Sequence, residues 1–102
     1  MPKSIHRPEY QVLRRLIRQA RDDAGVTQTA VSLQLGRSQS FISDIERGVR
    51  RIDALELRDL CQLLGRDLVE FLSELEAEIA KLPAGRRRLA RTAGPAGRRR
   101  PD

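Results

Sequence analysis

The stretch from Thr27 to Arg51, T-Q-T-A-V-S-L-Q-L-G-R-S-Q-S-F-I-S-D-I-E-R-G-V-R-R, leaves this chain few folds to choose from. It holds two short apolar stripes at helical spacing, each closed by a glycine. Thr27 offers a hydroxyl to an orphan backbone N–H and predicts the start of a helix. Val26 and Val31 flank it where a hydrophobic staple would close the first turn. Val31 and Leu35 lie on one helical face, and Gly36 can adopt the left-handed conformation that ends a helix. Ser38 is then placed to cap a second helix over 38–47, with Phe41, Ile42 and Ile45 on its apolar side and Gly48 at its end. Gln39, Ser40, Ser43 and Asp44 are left on the opposite side.

Two short helices in that order, the second with base-sized polar side chains outward, form the helix-turn-helix arrangement. The stretch resembles the helix-turn-helix domain of the phage Cro/C1 repressors and the Xre-like regulators. The residues that carry the resemblance are T-Q at 27–28, Leu35-Gly36, S-Q-S at 38–40 and I-S-D-I-E-R-G at 42–48, and it spans roughly Tyr10 to Leu72. Two positions depart from the pattern. Ser32 stands where the first of these helices generally has Ala, and Arg37 stands where the turn usually has an apolar residue. The resemblance implies an all-α, five-helix, lambda-repressor-like domain that binds double-stranded DNA. It also implies that Arg21 pairs with Glu46 as a structural strut, and that Gln28 touches both a phosphate and Gln39.

The residue chemistry fits that expectation. A Gln amide at 39 can bond in bidentate fashion to adenine N6 and N7. Ser40 and Ser43 can reach bases or phosphate. Asp44 can accept from a cytosine amino group, although an acid near phosphates more often rejects a base than attracts one. Gln39, Ser40, Ser43 and Asp44 are therefore the expected base contacts. Gln28, at the start of the first of these helices, is placed to meet a phosphate, and the resemblance implies phosphate contacts at Arg47, Arg50 and Arg51, with Arg37 in the turn, which add affinity without sequence preference. For each arginine the plainer reading is surface charge.

Charge is segregated along the chain. Residues 1–51 carry ten Lys/Arg and five Asp/Glu, residues 52–82 carry three and eight, and residues 83–102 carry seven and one. Such a division suits a protein that sets one end against a polyanion.

Helix signals continue on both sides. Pro8 and Glu9 open a first helix that runs to Ala24, with Leu13, Leu16, Ile17, Ala20 and Ala24 as its apolar stripe. Asp53 with Glu56 makes a D-x-x-E capping signal for a fourth helix, whose stripe is Leu57, Leu60, Cys61 and Leu64. Asp67 with Glu70 repeats the signal for a fifth, over 67–82. There Leu68, Leu72, Leu75, Ile79 and Leu82 recur at spacings of four, three, four and three, a short heptad seam. Val69 and Phe71 are expected in the core. The later seam either folds back on its own domain or meets a second copy. The dimer reading assigns the interface to Leu72, Leu75, Ile79 and Leu82, because two half-sites need two reading helices.

The segment 1–7 reads as a flexible N-terminus. The Arg-rich segment 83–102, with R-R-R twice, reads as a disordered tail. It is either an end without a role, a non-specific DNA arm, or a partner for the acidic 52–82 region. Only three residues are aromatic, so no stacking platform for RNA is evident. Cys61 and His6 are each the single residue of their type, which argues against an internal disulfide and a metal site. No nucleophile–base arrangement or phosphate-cradling glycine loop is present, and no cofactor is implied. The expectation is a cytoplasmic, non-enzymatic, sequence-specific DNA-binding regulator, acting as a dimeric repressor on an operator. The alternative is an antitoxin that binds a toxin partner and represses its own operon.

Overall fold

The computed structural model describes residues 7–83. The readings of the N-terminal segment, of His6 and of the Arg-rich tail fall outside the described residues, apart from Arg7 and Pro83. Within them all regular structure is helical: α1 Pro8–Ala24, α2 Gln28–Gln34, α3 Phe41–Glu46, α4 Ala54–Leu63 and α5 Leu68–Ala80. No helix among the described residues is long and apolar enough to cross a membrane.

Local chemistry accounts for most of the helix ends. Thr27 Oγ1 accepts from the Ala30 N–H at 3.0 Å and starts α2. Asp53 and Glu56 close a reciprocal capping box on α4, at 2.7 and 2.9 Å. Asp67 caps α5 through the Glu70 N–H at 2.9 Å. At the turn after α2, Gly36 has φ +73°, and its N–H and that of Arg37 return to the carbonyls of Leu33 and Ser32. That paired return is a Schellman motif, and it turns the chain sharply into α3.

The core is built on α1, which packs on α3 and α5, while α2 packs on α3 and α4 on α5. Val12, Leu16, Ile17 and Ala20 from α1 meet Val31, Phe41, Ile42, Ile45, Leu57, Leu60, Cys61 and Phe71. Two details of the α1 stripe differ from the expected one. Val12 is buried, whereas Ala24, in the last turn and beyond the core, is exposed. Tyr10 adds a long-range tie, its Oη accepting from the Ile52 N–H at 2.8 Å and fixing the loop before α4.

Helix α5 packs much of its seam within the chain. Leu75, Ile79 and Leu82 pack against this chain's own core. Leu75 and Ile79 line a shallow groove with Tyr10 and Leu13 of α1. Arg15 of α1 bonds Glu78 of α5 at 3.1 Å across the same contact. The seam therefore finds its apolar partner inside the molecule. Phe71 takes the inside position at 1% exposure, while Leu72 is turned out at 40% and Val69 at 71%. Val69 is thus a surface residue, not the core residue its type suggested.

Candidate nucleic-acid interface

The site begins with what holds α3. Arg21, in the last turn of α1, and Glu46, the last residue of α3, have side chains 11% and 5% exposed. Arg21 Nε donates to Glu46 Oε2 at 2.7 Å and Arg21 Nη2 to Oε1 at 3.1 Å, a bidentate fork. Arg21 Nη1 also donates to the Val26 carbonyl at 2.9 Å, so one guanidinium joins the end of α1, the start of α2 and the end of α3. The Glu46 carboxylate beside it raises the Arg21 pKa.

Gln28 belongs to this strut. Its Nε2 donates to Glu46 Oε1 at 2.8 Å. The expected Gln28–Gln39 contact is replaced by this one, because a carboxylate is a stronger acceptor than a neutral amide. Helix α3 also starts later than Ser38 suggested. Ser38 supplies only its carbonyl, to the Phe41 N–H at 3.0 Å, and Gln39 and Ser40 stand in the turn ahead of the helix.

The outer side of that turn and helix carries the expected base contacts. Gln39 and Ser40 are exposed, and the Gln39 side chain has no hydrogen-bond partner among the described residues. Ser43 Oγ donates to the Ser40 carbonyl at 3.0 Å. Asp44 accepts from Arg47 one turn on. Arg51 is exposed, with its guanidinium unpaired among the described residues.

Arg37 and Arg50 are engaged differently from Arg47 and Arg51. Both bond Glu56 at the start of α4: Arg37 Nη1 to Oε2 at 2.8 Å, and Arg50 Nη1 and Nη2 to Oε1 and Oε2 at 3.1 and 3.0 Å. Their guanidinium carbons lie 4.2 and 4.6 Å from the centre of the Phe41 ring, within cation–π range. The hydrogen bonds from Arg50 lead the causes that lower the Glu56 pKa to about 2.

Residues 12–72 match the model of a family described as a helix-turn-helix domain. The chain is also similar in structure to an XRE-family like protein from Pseudomonas syringae pv. tomato str. DC3000, at 44% identity and a TM-score of 0.65, over 69% of this chain and 85% of that one. The chain belongs to the Xre-type helix-turn-helix family. It is accordingly a DNA-binding transcriptional regulator. No match was found among curated proteins.

Within this Xre-type domain, two residues matter that sequence reasoning passed over. Ser32 is fully buried, and its Oγ donates to the Gln28 carbonyl at 2.8 Å while accepting from the Ile42 N–H at 3.0 Å. The orphan N–H of Ile42 at the start of α3 is thus satisfied from α2, across the turn. The one signal was that Ser32 departs from the family's usual Ala. The D-x-x-E motif marks Glu56 as a cap, and nothing in it points to two arginines up to nineteen residues away.

Proposed function

We propose that the protein is a dimeric repressor that reads an operator by setting the 38–47 segment in the major groove. Base contacts come from Gln39, Ser40, Ser43 and Asp44. Phosphate contacts come from Gln28, Arg47 and Arg51, with Arg37 and Arg50 behind them. The observation that carries this reading is the exposed amide of Gln39 at the leading edge of α3, without a hydrogen-bond partner among the described residues. Behind it α3 is braced by Arg21, Glu46 and Gln28. A free amide on a rigid support is what bidentate recognition of adenine requires. For the dimer, the α5 seam leaves Leu72 facing solvent, with Val69 nearby on the same helix.

Selection of bound fragments from random duplex DNA tests this directly. The expected result is a palindrome whose half-sites lie about one helical turn apart. Gln39→Ala then relaxes one position in each half-site, at a cost of about 1–3 kcal/mol in discrimination. A reporter driven across the selected site should rise when the protein is withdrawn. Enrichment of no sequence, or a reporter that falls, would overturn the reading.

A further inference from the structure

Glu56 is one carboxylate with two guanidiniums on it, and the three groups carry a net charge of +1 where the arginines alone would carry +2. Capping does not require the charge, since Gln serves at the same position of a capping box. The arginines are not shut away either. Their side chains are 38% and 37% exposed, so N–H groups remain on the solvent side of the cluster. They flank Phe41, the first residue of α3, from the turn before that helix and the loop after it. The two guanidiniums therefore sit beside the start of α3 with a carboxylate already bound to them.

We propose that Glu56 is a specificity-determining residue: its carboxylate stands in for a phosphate on Arg37 and Arg50, which limits their non-specific grip on DNA and holds them in register beside α3. The proposal rests on the reading of α3 as the DNA-facing helix. In a non-specific complex, affinity is almost wholly phosphate neutralisation, so each unit of positive charge withheld weakens it. In the operator complex the bases fix the position of α3, and the clamped guanidiniums meet the backbone at one place only. Withheld charge weakens both complexes, but in the operator complex the clamp returns part of that loss, because Arg37 and Arg50 are already held where they meet the backbone. Glu56 remains ionised at any pH at which the protein would meet DNA, its pKa being held near 2 by the same arginines.

The test compares wild type with Glu56→Gln on the selected operator and on an unrelated duplex, across a salt series, with melting curves showing that both are folded. Glu56→Gln frees one unit of charge and should bind the unrelated duplex about 8-fold more tightly at 0.1 M salt, with a log–log salt slope steeper by about 0.9. The ratio of operator to unrelated affinity should fall. Arg37→Gln/Glu56→Gln restores the wild-type charge and should return the slope to its wild-type value. If Glu56→Gln does not fold, Arg37→Gln alone should make the slope shallower by about 0.9. An unchanged slope in the folded single variants, or an unchanged specificity ratio in Glu56→Gln, overturns the proposal. A wild-type protein that selects no operator defeats the underlying DNA reading instead, and this proposal with it.

Discussion

The Ser32 hydroxyl shows how much one buried polar atom can decide. It is fully enclosed and has both a donor and an acceptor contact, so it costs little to bury. Removing it leaves the Ile42 N–H enclosed without a partner. Ser32→Ala should therefore destabilise the domain by about 1–3 kcal/mol in urea denaturation, and the Ile42 amide should lose hydrogen-exchange protection. Unchanged stability would mean that water reaches that N–H. The Arg21–Glu46 fork differs in kind, since its charges are paired near the edge of the core. Such a pair contributes more to geometry than to net stability. The resemblance gave the identity of these two partners. The further bond from Gln28 to Glu46 needed the three-dimensional arrangement, because it depends on which acceptor lies nearest once α1, α2 and α3 have packed.

Among the elements, α1 and α5 differ most in how local their determinants are. The bounds of α1 follow from Pro8 at one end and Gly25 at the other, and both signals act within a single turn. The heptad seam of α5 says only that one face is apolar, and an apolar face is satisfied equally by a neighbouring helix or by a second molecule. In this protein α1 covers it, with Arg15–Glu78 across the join. Leu75→Ala and Ile79→Ala should each therefore lower stability by about 1–2 kcal/mol, as fits half-buried side chains, without changing the solution mass. A fall in mass with unaltered stability would place the seam between two copies. Helix α3 makes the complementary point. It is a six-residue helix, and Ser32 on the Ile42 N–H and Arg21 on Glu46 supply from outside what so short a helix lacks in itself.

At the scale of the molecule, the acidic 52–82 segment is not simply a solvated counterface to a basic half. Glu56 reaches back to Arg37 and Arg50, and Glu78 to Arg15, so the two halves are stitched by charge. This has a consequence in acid. The Glu56 pKa lies at about 2, below its ordinary 4.5, so the stabilisation it gives is complete above about pH 4.5 and is lost as pH falls towards 2. Glu9, lowered chiefly by Arg7, and Glu78, lowered chiefly by Lys81, add to the same acid limb. Unfolding free energies measured from pH 6 to pH 2 should fall for wild type and fall less for Glu56→Gln. Parallel profiles would show that the cluster contributes nothing to folding.

The all-α class, the order of five helices and the helix-turn-helix were determined by the sequence itself. The signals for them, Thr27, Asp53, Asp67 and the glycines, act on backbone within a turn of their own position. Only the tertiary structure decided that Arg37 and Arg50 share Glu56, that Ser32 caps α3, and that the α5 seam is covered by α1. Each of those choices joins residues ten or more positions apart or sets one helix against another, apart from Arg50 with Glu56 across a loop. Charge and polarity make many such partners chemically acceptable, and packing brings only one of them within about 3 Å. For the Thr27–Arg51 unit the chain thus specified the reading helix, and the fold specified which of its surrounding charges remain open to a phosphate.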